Sequence, residues 1–112
     1  MSTHPTEQVL IVLTVPPTLE TQLIDWLLAR ADIAGFSSGA IHGHGSRHDH
    51  LSIAEQVTGR QRRLQFQVQL DRRQYSSVLA DLSTDFAGAD LHYWVSPILA
   101  AGHLGETPSA EL

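Results

Sequence analysis

The sequence predicts an α+β sandwich in which two helices cover one face of a four-stranded antiparallel sheet. Three observations lead to this fold class. The apolar residues recur with strand and helix periods in the order β-α-β-β-α-β. Hydrophobic residues make up 42% of the chain, which is enough for a core, and 112 residues are the length of one domain. This order of elements is the ferredoxin-like arrangement.

The first strand and helix are predicted from the first third of the chain. Residues 9–13 are apolar and largely β-branched without alternation, which fits a strand buried on both faces. Prolines at 16–17 end this strand, and Thr18 is placed to cap an amphipathic helix over 18–31. Gly35 is the expected terminator of that helix.

The second and third strands are predicted on either side of a long polar loop. Residues 36–44 read as a strand with an imperfect pattern, so we expect a bulge near Gly39. A loop over 45–58 follows, longer than a tight hairpin needs. Over 63–70, leucine, phenylalanine and valine alternate with glutamine, which predicts a strand with one buried face.

The last helix and strand are predicted from similar signals. Asp71 is placed to cap a helix over 72–86, and Gly88 ends it. The alternation over 90–96 predicts the fourth strand, with Pro97 closing it.

We expect a single domain over 1–112, with an ordered core of about 8–102 and a flexible tail over 103–112. The sheet face away from the helices would carry apolar residues of the first strand together with Trp94. Covering that face requires other copies of the chain, so we expect an oligomer. A monomer with one solvated sheet face is the alternative.

Composition argues against several classes of protein. The formal net charge of −5 argues against a nucleic-acid-binding protein. The absence of cysteine excludes disulfides, Cys-based zinc sites and thiol nucleophiles. No nucleophile elbow or phosphate-binding loop occurs, so we do not expect an enzyme. The polar N-terminus and short apolar runs predict a cytoplasmic protein.

A histidine-rich tract, HGHGSRHDH, is the first candidate site. Two of its histidines, His42 and His44, would lie on one side of the second strand, and His48 and His50 would follow in the loop. His92 on the fourth strand could join them from the same or a neighbouring subunit. These ligands suit Zn(II), Cu(II), Ni(II) or Co(II). A solvated loop and a pH-responsive loop are the alternatives.

An arginine cluster is the second candidate site. Arg60, Arg62 and Arg63 form the motif GRQRR, and together with Arg47 they could clamp an anion such as a phosphate. The alternative is a solubilising entrance to the third strand that also pairs with Glu55.

The sequence from residue 9 to about residue 104 resembles a PII-like family whose members mostly have no established function. Its genes are found near heavy-metal efflux pumps of the resistance-nodulation-division class. The most specific matching pieces are GHG, LS-x-AEQV-x-GRQRR and HYWV. The resemblance implies a cytoplasmic homotrimer of the PII superfamily with a signalling or metal-handling role and no catalysis.

Two features differ from signalling PII proteins, which the sequence resembles more distantly. Their long loop carries a modifiable tyrosine, and the loop over 45–58 has none. Their connection between the second helix and fourth strand is rich in glycine and lysine, whereas here it is only AGAD at 87–90. Both differences argue against ATP binding and covalent modification.

The leading hypothesis is therefore a PII-like regulatory protein that binds a divalent transition metal and serves heavy-metal resistance. The first alternative is a PII-like sensor of a nucleotide or other small anion at the cleft between subunits. The second alternative is a ligand-free adaptor of an efflux pump at the inner membrane.

Overall fold

The computed structural model describes residues 7–44 and 60–106. Within them, the six main elements follow the predicted order. They are β1 (Gln8–Val15), α1 (Glu20–Leu28), β2 (Ile33–His44), β3 (Arg60–Asp71), α2 (Tyr75–Asp85) and β4 (His92–Ile98). Short 3-10 turns precede both helices, at Pro17–Leu19 and Arg72–Gln74.

The four strands form one antiparallel sheet in the order β2-β3-β1-β4. In its centre, Leu13 of β1 stands opposite Phe66 of β3 on one side and Tyr93 of β4 on the other. The predicted fold class, a ferredoxin-like sandwich, is confirmed.

The core lies between the helices and one face of the sheet. Alternate residues of β1 and β3 pack there against both helices, as the strict alternation of β3 predicts. The buried members are Val9, Ile11, Leu13, Val15, Leu23, Leu27, Phe66, Val68, Leu70, Val78, Leu82 and Phe86. The other sheet face, here called the open face, is formed by the intervening residues and has no helix among the described residues.

In the middle of the open face, a buried valine lies beside an exposed aromatic residue. Val12 of β1 stands opposite Gln67 on β3 and Trp94 on β4. Val12 is only 4% exposed, whereas Trp94 is 49% exposed. The continuous apolar pattern of β1 therefore reflects burial on both faces of the sheet, although the Trp94 side chain remains half exposed to solvent.

Several predicted boundaries were wrong. Thr18 caps no helix, because a 3-10 turn occupies its position and α1 begins at Glu20. Gly35 lies inside β2, since α1 ends at Leu28. The register irregularity of β2 lies between Ile33 and Gly35 and leaves the pairing at Gly39 regular.

Pro97 lies within β4 and does not close it. An edge strand tolerates proline because one side of its backbone makes no ladder bonds. The Asp71 carboxylate accepts a hydrogen bond of 2.7 Å from the backbone N–H of Arg73. It therefore caps the 3-10 turn Arg72–Gln74, whereas α2 itself begins only at Tyr75. Gly88 takes a φ of 81° in the turn after α2, as predicted.

Charged and aromatic side chains join the two helices on their outer side. The Arg30 guanidinium donates to Asp32 and to Asp81 of α2 at 2.8 Å. It also lies 4.9 Å from the centre of the Trp26 ring. The Trp26 indole N–H donates to Asp85 at 2.8 Å. These contacts hold α1 and α2 side by side, and the two helices together cover one face of the sheet.

Within the described residues, none of the helices combines the length and apolarity needed to cross a bilayer.

Candidate functional site

The pairing of β2 with β3 continues beyond the part of the sheet that the helices cover. On the helix side of β2, Phe36 packs against the core, whereas Ser38 and Ala40 are exposed. The two strands remain paired until His44 stands opposite Arg60. We call residues 38–44 of β2 together with residues 60–66 of β3 the β2–β3 arm, and the segment 45–59 joins its two ends.

His42 and His44 both lie on the helix side of the β2–β3 arm. The register places His42 opposite Arg62 and His44 opposite Arg60. Directly paired residues lie on the same face of a sheet, and side chains of a strand alternate between its two faces. His42 and His44 are an even number of residues from Phe36, which pairs with Val68 in the core, so they lie on the same face as Phe36. Both histidines and Arg62 are exposed. Their arrangement is therefore a cross-strand ladder of histidine against arginine, which the sequence alone did not reveal.

The opposite side of the arm is organised by Arg63, whose side chain is only 6% exposed. Its guanidinium donates to the carbonyl oxygens of Thr14 at 2.7 Å and Asp90 at 2.8 Å, and to the Asp90 carboxylate at 2.9 Å. A Cβ on Gly43 would lie 3.4 Å from the Arg63 Cγ, so glycine gives the arginine stem room against β2. Arg63 thus ties the arm to β1 and to the connection before β4.

Sequence reasoning treated Arg63 only as one member of an arginine cluster. Its acceptors are 49 and 27 residues away in the chain, so no local pattern could identify them. The structure separates the cluster, because Arg62 faces the helix side of the arm while Arg63 is buried on the other.

His92 is not brought together with His42 and His44 within one chain. It stands opposite Thr14, which places it on the open face of β4. β4 and β2 are the two edges of the sheet, with β1 and β3 between them, so about 14 Å of sheet separates them. One ion bound at about 2 Å from its ligands cannot bridge that gap. A contribution of His92 from a neighbouring subunit stays a prediction.

The remaining predicted site residues, Arg47, His48 and His50, lie in the segment 45–59, outside the described residues. Among residues 7–44 and 60–106, no group of three or more histidine, aspartate or glutamate side chains is close enough to hold a metal ion. The metal hypothesis therefore depends on ligands from the segment 45–59 or from another subunit.

A family model described as a protein of unknown function (DUF3240) matches residues 5–105. No curated protein matches the chain.

Solved structures share the fold. A DUF3240 family protein from Shewanella baltica is 24% identical, and the match covers 93% of this chain and 99% of that one with a TM-score of 0.71. CPII from Thiomonas intermedia, a nitrogen regulatory PII-like protein bound to ADP, AMP and bicarbonate, is 14% identical over 88% of this chain and 97% of that one, with a TM-score of 0.64. The GlnK–ATP complex from Bacillus subtilis is 14% identical over 83% and 85%, with a TM-score of 0.58. At these identities the likeness shows the fold alone.

Proposed function

We propose that this chain, which belongs to the DUF3240 family, is a PII-like regulatory protein that binds a small phosphate-bearing anion on the β2–β3 arm. Binding at the base of the segment 45–59 would change the surface that this segment presents to a partner protein. The observation that carries the proposal is the register in which His42 stands opposite Arg62 and His44 opposite Arg60.

The chemistry of the arm suits an anion. A guanidinium offers paired donors that match two oxygens of a phosphate, and a neighbouring imidazole adds a further donor. The two strands contain no acidic residue between residues 33 and 44 or between 60 and 70. A phosphate would therefore meet no carboxylate from the arm itself, whereas a divalent cation would meet the unfavourable charge of two arginines.

Two structural neighbours support this class of ligand. CPII was crystallised with ADP, AMP and bicarbonate, and GlnK with ATP. All four are anions that bear phosphate or carbonate groups. The connection at 87–90 is short, so we do not expect the base and triphosphate of a nucleotide to be held as in signalling PII proteins. The proposal therefore concerns the anionic group of the ligand.

Isothermal titration with inorganic phosphate, AMP, ADP, ATP and bicarbonate tests the proposal. We expect at least one of them to bind, and Arg62→Gln to weaken binding about tenfold, which corresponds to about 1.4 kcal/mol. Arg72→Gln is the matched control, because Arg72 is exposed and follows the far end of β3. If the two variants bind the anion with equal affinity, the site does not lie on the arm. If none of these anions binds the parent protein, the proposal is wrong.

A second candidate is a site for Zn(II), Cu(II), Ni(II) or Co(II). The observation that favours it is that His42 and His44 are exposed on one face of β2, directly before the segment that contains His48 and His50. The resemblance to proteins encoded near heavy-metal efflux pumps belongs with this candidate. Titration with these four ions and with a His42→Ala/His44→Ala variant tests it, and unchanged metal affinity in the variant would exclude His42 and His44 as ligands.

A further inference from the structure

The last part of the β2–β3 arm is a ribbon of only two strands. β1 ends at Val15, which is paired with Leu64 of β3, and the chain then enters the 3-10 turn after Pro16. Among the described strands, residues 60–63 therefore pair with residues 41–44 alone, and we call these two stretches the ribbon. Two-stranded ribbons are marginally stable by themselves, so the ribbon needs a further contact to hold one orientation.

Arg63 provides that contact. Its Nη1 donates to the Asp90 carboxylate at 2.9 Å, and its Nη2 donates to the carbonyl oxygens of Thr14 at 2.7 Å and Asp90 at 2.8 Å. Thr14 belongs to β1, and Asp90 belongs to the connection before β4. One buried side chain therefore anchors the ribbon to two other parts of the molecule.

Asp90 is itself held in place by its neighbours. Ala89 and Leu91, on either side of it, both pack against the core. The Ala89 N–H donates to the Phe86 carbonyl at 3.0 Å, and the Leu91 N–H donates to the Ala89 carbonyl at 3.0 Å. The Asp90 carboxylate therefore lies on a fixed base, and its bond with Arg63 fixes the orientation of the guanidinium.

The Arg63 side chain lies behind the ladder of histidine and arginine. Arg62 and Arg63 are adjacent in β3, so their side chains lie on opposite faces of the strand. Gly43 lies between His42 and His44, and a Cβ there would be 3.4 Å from the Arg63 Cγ. The arginine stem thus supports the backbone that carries both histidines, on the face opposite to an anion held at the ladder.

We infer that Asp90, acting through Arg63, is a positioning residue for the anion site on the β2–β3 arm. The inference rests on the proposed function, and it adds which residues hold that site in one orientation. A ribbon released from Asp90 populates the binding orientation for only part of the time, and the apparent affinity falls by that fraction. An anchored ribbon avoids this loss because its site is preorganised.

Two replacements of Asp90 separate positioning from charge. Asp90→Ala removes the side-chain acceptor of Arg63, whereas Asp90→Asn keeps an acceptor oxygen. Both remove the same negative charge, so a through-space effect of charge would strengthen anion binding equally in the two variants. Positioning predicts a different order. Asp90→Ala should weaken anion binding about fivefold, and Asp90→Asn should keep an affinity close to that of the parent.

Isothermal titration with inorganic phosphate, AMP, ADP, ATP and bicarbonate measures these affinities, at a temperature at which circular dichroism shows every variant folded. Asp71→Ala is the matched control, because it removes a carboxylate that bonds to the backbone at the far end of β3, and its affinity should equal that of the parent. If Asp90→Ala binds as tightly as the parent or as Asp90→Asn, the inference is wrong and the proposed function stands. If the parent binds none of these anions, the proposed function is wrong and the inference falls with it.

Hydrogen exchange provides a second measurement that needs no ligand. The backbone amides of residues 41–44 and 60–63 should exchange faster in Asp90→Ala than in the parent, because the ribbon has lost part of its anchor. Asp71→Ala should leave exchange in the ribbon unchanged. If exchange in the ribbon is the same in Asp90→Ala and in the parent, Asp90 does not position the site.

Discussion

Arg63 of β3 and Asp90, which lies before β4, form an ion pair of 2.9 Å in which the arginine side chain is almost fully buried. The Asp90 carboxylate is partly open to water, with its side chain 38% exposed. The same guanidinium also binds two backbone carbonyl oxygens, so the pair joins β3, β1 and the connection after α2.

Replacement of Arg63 by methionine should destabilise the protein by about 2 kcal/mol, because two carbonyl oxygens lose a charged donor. Asp90→Asn should cost about 1 kcal/mol, since asparagine keeps an acceptor oxygen and the backbone carbonyl remains. Urea unfolding followed by circular dichroism measures both. Arg73→Gln, at an exposed pair with Asp71, is the control and should change little. If Arg63→Met lowers the free energy of unfolding no more than this control does, Arg63 does not stabilise the fold as described.

Stability should fall at acid pH partly through Asp32. Its hydrogen bond with Arg30 lowers the pKa of the Asp32 carboxyl below its ordinary value of 3.8. The folded state therefore binds fewer protons than the unfolded state as pH falls through this range. The contribution of the pair is complete above pH 3.8 and is lost as pH falls toward the lowered pKa.

Asp32→Asn should accordingly cost about 1 kcal/mol at neutral pH, and this cost should shrink as the pH falls below 3.8 and through the lowered pKa of Asp32. The free energy of unfolding of variant and parent is measured across this range. Asp25→Asn, at an exposed position on α1, is the matched control. A difference between Asp32→Asn and the parent that does not vary with pH would show that the carboxylate charge is not the cause.

The capping role of Asp71 predicts a specific ranking of two substitutions. Asp71→Ala should destabilise the protein by about 1 kcal/mol, because the Arg73 backbone N–H loses its acceptor. Asp71→Asn should be nearly neutral since asparagine also caps well. Thermal unfolding distinguishes the two variants. Equal losses would mean that charge, and not the cap, is the important property.

Trp94 on the open face should report on the expected homotrimer. An arginine at this position would place a charge where we expect another copy to pack, so the mass measured by light scattering should fall to that of a monomer. Leu28→Arg removes a similar exposed apolar side chain from the helix side and should leave the mass unchanged. Retention of the parent mass by Trp94→Arg would place the main interface elsewhere.

The topology could be predicted because periodicity depends on local burial. The alternation around Phe66 and the stripe around Leu82 each follow from one face contacting the core, and six such segments in order specify the sandwich. Boundaries near proline and glycine could not be predicted in the same way. Pro97 is tolerated because β4 became an edge strand, and Gly35 lies in β2 because α1 ended early. Both facts depend on neighbours that are distant in the sequence.

The sequence by itself determined the sandwich, the core sides of β3 and β4 and the two groups of histidine and arginine. These follow from residue type and spacing within single segments. Only the tertiary structure decided that His42 stands opposite Arg62, that His92 lies at the far edge of the sheet, and that Arg63 is buried against Asp90. Strand order and register bring together residues that are tens of positions apart, and no local pattern contains that information.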